Sequence, residues 1–200
     1  MKAKSITSSR SKTVTVIGGV NAVGNFIPPN YVLPGIRWGQ ELLDGYASGV
    51  GAGMSESGFV KRDFFETHIT EHFAKYAGIE KGSNWPTTLI LYDGHTSHIS
   101  RTLTQWARER SVVLFVLPPH SSHLTQSLDV VVFGPIKQYY YRECMTYCMH
   151  NNPGRNITRY DEANLSAKPY VKALSPEQLV IGFGRLEYMP LTQVKSVKNN

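Results

Sequence analysis

No apolar run in the chain approaches the length of a bilayer span, and its 200 residues include only two cysteines. The first absence argues against a transmembrane helix, which needs about 20 consecutive apolar residues. The second argues against a disulfide-stapled scaffold. Cys144 and Cys148 lie four apart in a helical stretch, on one face, where a thiol pair makes a poor staple and half a metal site; reduced, partly buried thiols are expected. The opening MKAKSITSSRSK is basic and Ser-rich but has no apolar h-region, so it lacks the central element of a secretory signal. There are no internal repeats and no strong basic cluster. A soluble, intracellular protein with no membrane partner is expected.

What is present belongs to a globular chain. Apolar residues make up 41% and aromatics 11%, values unlike those of disordered sequences, and the length suits one domain with a small appendage. The net charge of +6 and a pI near 9.3 favour a polyanionic partner without identifying one.

Residues 13–17, TVTVI, are a β-branched run ending at Gly18-Gly19 and predict a buried strand. Residues 21–25, with Gly24, predict a tight hairpin turn into a second strand over 26–33, which Pro28-Pro29 should confine to a sheet edge. Residues 44–58 are Gly/Ser-rich and read as a loop. Phe59, Phe64, Phe65, Ile69, Phe73 and Tyr76 follow helical spacing, predicting an amphipathic helix from near Val60 to Tyr76. After a linker, TTLILY predicts a strand over 87–92 ending on Asp93-Gly94. A helix over 100–110 should follow, capped by Ser100, then a strand over 112–117 closed by Pro118-Pro119. A polar loop leads into a long helix over about 126–149, stopped by NNPG. The last fifty residues read as helical, with Ser175 capping and Pro176 at a first helical position. The predicted order is β-β-α-β-α-β-α-α, an α/β sheet covered on both faces and preceded by an antiparallel pair. Residues 1–150 are expected to form the core and 151–200 a C-terminal helical extension.

Two acids each end a buried segment. Asp93 terminates LILYD, and Asp129 sits in QSLD at the start of the long helix. Open α/β sheets place their sites at strand C-terminal ends, and a carboxylate in a first helical turn is favoured by the helix dipole. Mg²⁺ and Mn²⁺ need such oxygens, and two-metal phosphoryl transfer needs several converging. The residues alone leave a plainer reading equally open: Asp93 opens a D-G turn and Asp129 caps a helix.

The segments YDGHTSHIS and VVLFVLPPHSSHLTQSLDVVVFGPIK resemble the DDE superfamily endonuclease domain of pogo/Tigger-type (Tc1/mariner-related) transposases. In that family one strand ends in D-G/N-x-x-x-H and a second in L-P, followed by a loop and Q-P-L-D before F-G-P-h-K. Here 35 residues separate the two acids, within the family's range. The upstream TVTVIGGVNAVGNFIPPNYVLPG is similar to the family's T-V-x-x-x-x-N-A-x-G-x-x-I-P-P segment, so the likeness runs from about Ile6 to about Pro190. The resemblance implies a ribonuclease-H-like mixed sheet with flanking helices, Mg²⁺ or Mn²⁺ as cofactor, DNA as partner, a nuclear location, and room for a homo-oligomer. It makes Asp93 the second metal-binding acid and Asp129 the third, with the two carboxylates on the order of 4–7 Å apart, given a two-metal spacing of about 4 Å. His98, His123 and Gln126 match positions flanking that site, where they would contact phosphate or orient carboxylates; loop and cap hydrogen bonding is their plainer role.

Two departures from the family pattern stand out. Gln126-Ser127-Leu128-Asp129 lacks the family's Pro, a mild change because Pro there preorganises a helix start. The family's first catalytic Asp lies in a D-E-T/S-G-like strand upstream of the segment that is Ser5 to Val16 here, and no acid precedes that segment in these 200 residues. Asp44 and Asp63 fall in a loop and at a helix start. The expectation is therefore a core without its first, central strand, holding two of three acids and cleaving DNA poorly if at all. The alternative is a non-enzymatic remnant that binds DNA or a protein.

Two further constellations remain. His95/His98 and His120/His123 form two H-x-x-H pairs, a zinc alternative that no cysteine cluster accompanies. Lys137, Tyr139, Tyr140, Tyr141 and Arg142 mix cations and aromatics on the long helix, as a DNA-backbone surface does; packing of the tyrosines on the C-terminal helices accounts for the same residues.

Overall fold

The structure is a computed structural model that describes residues 13–46, 48–82, 87–117, 132–154 and 156–185. Strand β1 (Thr15–Ile17) pairs antiparallel with β2 (Asn30–Pro34), with Thr15 opposite Val32. The turn between them closes where expected: the Asn21 amide donates to the Asn25 carbonyl at 2.9 Å and Gly24 adopts φ +91°. That conformation, with Pro176 3.1 Å from where a Cβ would stand, requires the glycine.

Two expectations fail in this region. β2 is not an edge strand: it is the middle strand of a three-stranded sheet, buried along its whole length. Pro28-Pro29 precede the first paired residue and Pro34 ends the ladder, so no proline removes an interior ladder bond. The predicted loop over 44–58 contains strand β3 (Gly51–Ser55), which runs parallel to β2. Its sequence GAGMS carries no β-branched signal, and the glycines serve packing. A Cβ on Gly53 would lie 2.3 Å from the Phe64 ring.

A continuous helical segment follows as predicted: α1 (Arg62–Thr67), a π-helical stretch His68–Phe73, and α2 (Ala74–Ala77), ended by Gly78 at φ +66°. This segment touches both sheets. Phe64 and Phe73 pack on Gly53 and Gly19 of the first sheet region, the His72 Nε2–H donates to the Pro28 carbonyl at 2.8 Å, and Tyr76 donates to Gly49 O at 2.9 Å. Phe65 and Ile69 face the second sheet.

That second sheet has two parallel strands, β4 (Thr88–Tyr92) and β5 (Val112–Val116), joined through α3 (Arg101–Arg108). Phe65, Ile69, Ile90, Leu103, Ala107 and Val112 make one core between the sheet and its helices. Among the described residues the two strand pairs do not join into one sheet covered on both faces. Among the described residues there are two small sheets, and Leu89, Leu91, Val113 and Phe115 alternate outward at 46–49% exposure. Continuous apolar strands imply burial on both faces; among the described residues only one face is covered.

The described C-terminal part is helical as expected, and residues 126–131 and 186–200 of the expected helices lie outside the described residues. α4 (Gly134–Thr146) continues through a π-helical turn, Tyr147–Asn151, and is followed by α5 (Glu162–Ala173) and α6 (Pro176–Arg185). These helices share a core with the first sheet: Val132, Tyr170, Leu174 and Leu179 pack against Val16, Val20 and Phe26. Tyr170 donates to the Ile27 carbonyl at 3.0 Å, and the Tyr31 and Ser166 hydroxyls meet at 2.7 Å. The whole is a mixed α/β fold compatible with a ribonuclease-H-like endonuclease domain.

Candidate functional site

Asp93 directly follows β4, at the C-terminal end of a parallel strand, and its side chain is 61% exposed. Its neighbour on β5 is the end of that strand: the Leu117 amide donates to the Tyr92 carbonyl at 2.8 Å. Gly94 lies so close that an added Cβ would stand 3.3 Å from the Leu117 carbonyl oxygen. The chain therefore leaves β5 directly beside Asp93, on the way to Asp129.

The Asp93 carboxylate is held on one oxygen. His98 Nδ1 hydrogen-bonds Oδ1, and the His95 amide donates to the same oxygen at 3.4 Å. Since a carboxylate only accepts, the His98 Nδ1–H is the donor. Oδ2 has no hydrogen-bond partner among the described residues. His98 itself is 17% exposed. Its ring stacks on Phe65 with centroids 4.0 Å apart and planes at 23°, and Tyr92 meets it edge-on. The intervening loop is short and ordered by local bonds. In the 3-10 turn Thr96–His98 the Ser97 amide donates to His95 Nδ1, and Ser100 caps α3 by accepting from the Leu103 amide at 3.1 Å. The Ser100 hydroxyl in turn donates to the Glu66 carboxylate on α1.

Asp129, His123 and Gln126 lie outside the described residues, as does His120. The Asp93–Asp129 separation and the four-histidine zinc arrangement therefore lie outside the described residues too. A hard divalent cation takes oxygen ligands, and the Asp93 carboxylate suits one in kind. Among the described residues it does not suffice, because no group of three or more His, Cys, Asp or Glu side chains converges. Asp44 follows the 3-10 turn Gln40–Leu43 and Asp63 sits in the first turn of α1, both exposed, so neither stands at a strand end.

The three tyrosines of α4 divide by contact. Tyr140 donates to Glu162 on α5, and Tyr139 lies under the Lys172 ammonium, 4.4 Å from its ring centre. Burial pushes both the Tyr140 hydroxyl and the Glu162 carboxyl above their ordinary ranges. Tyr141 is 61% exposed, and with Lys137, Gln138 and Arg142 it lines a shallow cleft of about 310 Å³. These residues sit at i, i+4 pairs on one face. Cys144 and Cys148 are free and half-buried, and burial pushes the Cys144 thiol up to about 11, which keeps it protonated at neutral pH.

Sequence reading missed two groups. Phe65 was legible only as one apolar residue in a helical period, and Glu66 carried no signal because its partner is 34 positions away. Asn30 and His68 form a buried polar pair, with Asn30 Nδ2 donating to His68 Nδ1 at 3.2 Å, that neither strand nor helix pattern announces.

Comparison with known proteins bears on the whole of this region. The family model described as DDE superfamily endonuclease matches residues 47–175, from just before β3 to the end of α5. The chain is also 30% identical over 159 residues to the MFS-type transporter clz9 of Cochliobolus lunatus. That match covers 75% of this chain and 16% of the relative, so the chain spans about a sixth of that protein's length. Among the described residues no helix is long and apolar enough to cross a membrane. No solved structure matches. Since the family match takes in both parallel strands, the loop bearing Asp93 and His98 and the helices packed around them, the chain belongs to the DDE superfamily of endonucleases.

Proposed function

We propose that the chain is the catalytic-core part of a pogo/Tigger-type transposase, in which Asp93 and Asp129 are two of the carboxylates that hold divalent metal for DNA strand cleavage and transfer. The carrying observation is the position of Asp93: exposed at a parallel strand's end, fixed on Oδ1 by His98, and beside Leu117 at the end of β5. Bound Mg²⁺ or Mn²⁺ would supply an activated water and neutralise charge on the phosphodiester. The protein's part is to aim carboxylate oxygens, with His98 orienting Asp93 and with His123 and Gln126 flanking Asp129. Lys137 and Arg142, with Tyr141 between them, would hold the DNA backbone away from the cutting site.

Residues 1–200 contribute two such acids. In the family pattern a third carboxylate completes the metal set.

The test is Mn²⁺-dependent nicking of supercoiled DNA by this chain against Asp93→Ala and Asp129→Ala. Nicking should drop to background in both variants. Nicking that survives both substitutions sinks the site assignment. DNA binding without nicking in every case would instead support a non-enzymatic remnant.

A further inference from the structure

We infer that Phe65 is a positioning residue for Asp93, acting through the His98 ring. The inference rests on the reading of Asp93 as a metal-binding carboxylate. Two independent contacts fix His98. Phe65, 5% exposed, lies face to face with the imidazole at 4.0 Å and so sets the plane of the ring. Asp93 Oδ1 takes the Nδ1 proton and so selects which edge of that plane points at the carboxylate. A ring free to turn about its Cβ–Cγ bond would exchange Nδ1 for Cδ2 and release Oδ1. With the plane held, the carboxylate is pinned at one oxygen and its second oxygen is aimed.

Phe65 is itself a rigid support. It packs with Ile69, Ile90 and Leu103 in the core beneath the second sheet, and its ring lies 5.5 Å from that of Tyr92. The adjacent residue on α1, Glu66, takes the Ser100 hydroxyl. Helix α1 thus grips the Asp93–Ser100 loop at His98 and again at its far end. Partners that orient a metal ligand typically alter affinity 10- to 100-fold when removed.

Two readouts on the ¹⁵N-labelled full chain test this: the tautomer of His98 from long-range ¹H–¹⁵N correlation, and Mn²⁺ affinity by calorimetry. Wild type should show one His98 tautomer, protonated on Nδ1. Phe65→Leu, or Phe65→Met if the first variant fails to fold, should give mixed tautomers and Mn²⁺ binding weaker by on the order of tenfold. Phe65→Tyr, which keeps the ring, should restore both. Ile69→Val, a loss of volume from the same core away from His98, should leave the tautomer unchanged. An unaltered His98 signal in Phe65→Leu and Phe65→Met overturns the inference, and so does an equal change in Ile69→Val. If His98 responds as expected but Asp93→Asn leaves Mn²⁺ affinity untouched, the positioning stands and the metal reading falls.

Discussion

His68 is 2% exposed, hydrogen-bonded through Nδ1 to Asn30 and stacked near His72 with ring centres 5.5 Å apart. Burial first, and His72 second, lower its proton affinity to about 4. The unfolded chain, with an ordinary imidazole near 6.5, therefore takes a proton that the folded chain refuses. The resulting stability is fully present above about pH 6.5 and is lost as pH falls towards 4, by about 3 kcal/mol across that window. Urea unfolding at pH 7 and at pH 4.5 should show the loss, and His68→Gln should flatten it; an equally steep slope in the variant would assign the effect elsewhere. Legibility varied sharply at this scale. Asp93 could be read from its strand end, with a D-G turn as the equal alternative, and His98 only through the resemblance to the family's motif. His68 was hidden because its partner is 38 positions away and its helix reads the same with any half-apolar residue there.

At the scale of elements, α3 shows how a local signal can carry a distant constraint. Ser100 was legible as a helix cap, and its oxygen does accept from the Leu103 amide. The same hydroxyl donates to Glu66, so one residue ties α3 to α1 beside the candidate site. Ser100→Ala should cost about 1 kcal/mol of stability, the usual value for an N-cap serine, measured as a shift of the urea midpoint. A change near zero would mean that water caps the helix equally well. β3 is the counterexample: its glycines silence the strand signal because Phe64, Asn30 and His72 approach too closely for side chains. β2 misled for a related reason, since proline forbids pairing only where an amide is needed, and here pairing begins at Asn30. For α4 the composition named the tyrosines but not their facing, which the neighbouring helix decides.

For the molecule as a whole, the net charge of +6 becomes informative only through its placement. Lys137 and Arg142 share one exposed face of α4 with Tyr141, whereas Lys172 is occupied over Tyr139. If that face carries DNA, Lys137→Ala with Arg142→Ala should weaken binding similarly on every sequence. It should also reduce the slope of log affinity against log salt by roughly two. An unchanged slope would clear the face of phosphate contacts. The architecture was half legible. Alternating strands and helices gave the parallel pair and the helical tail, but the number of sheets depends on which edges pair, and strand patterns are silent on that.

The bonds that close the first sheet against the C-terminal helices also set a timetable. Tyr31 waits for Ser166, and the Ile27 carbonyl waits for Tyr170, contacts separated by 135 and 143 positions. During synthesis at about 5–20 residues per second, β2 is finished on the order of ten seconds before its partners exist. Through that interval its five residues, all buried in the final fold, stand without their cover. The nascent chain is thus most in need of a chaperone from the completion of β2 until the helices that close over it have been made.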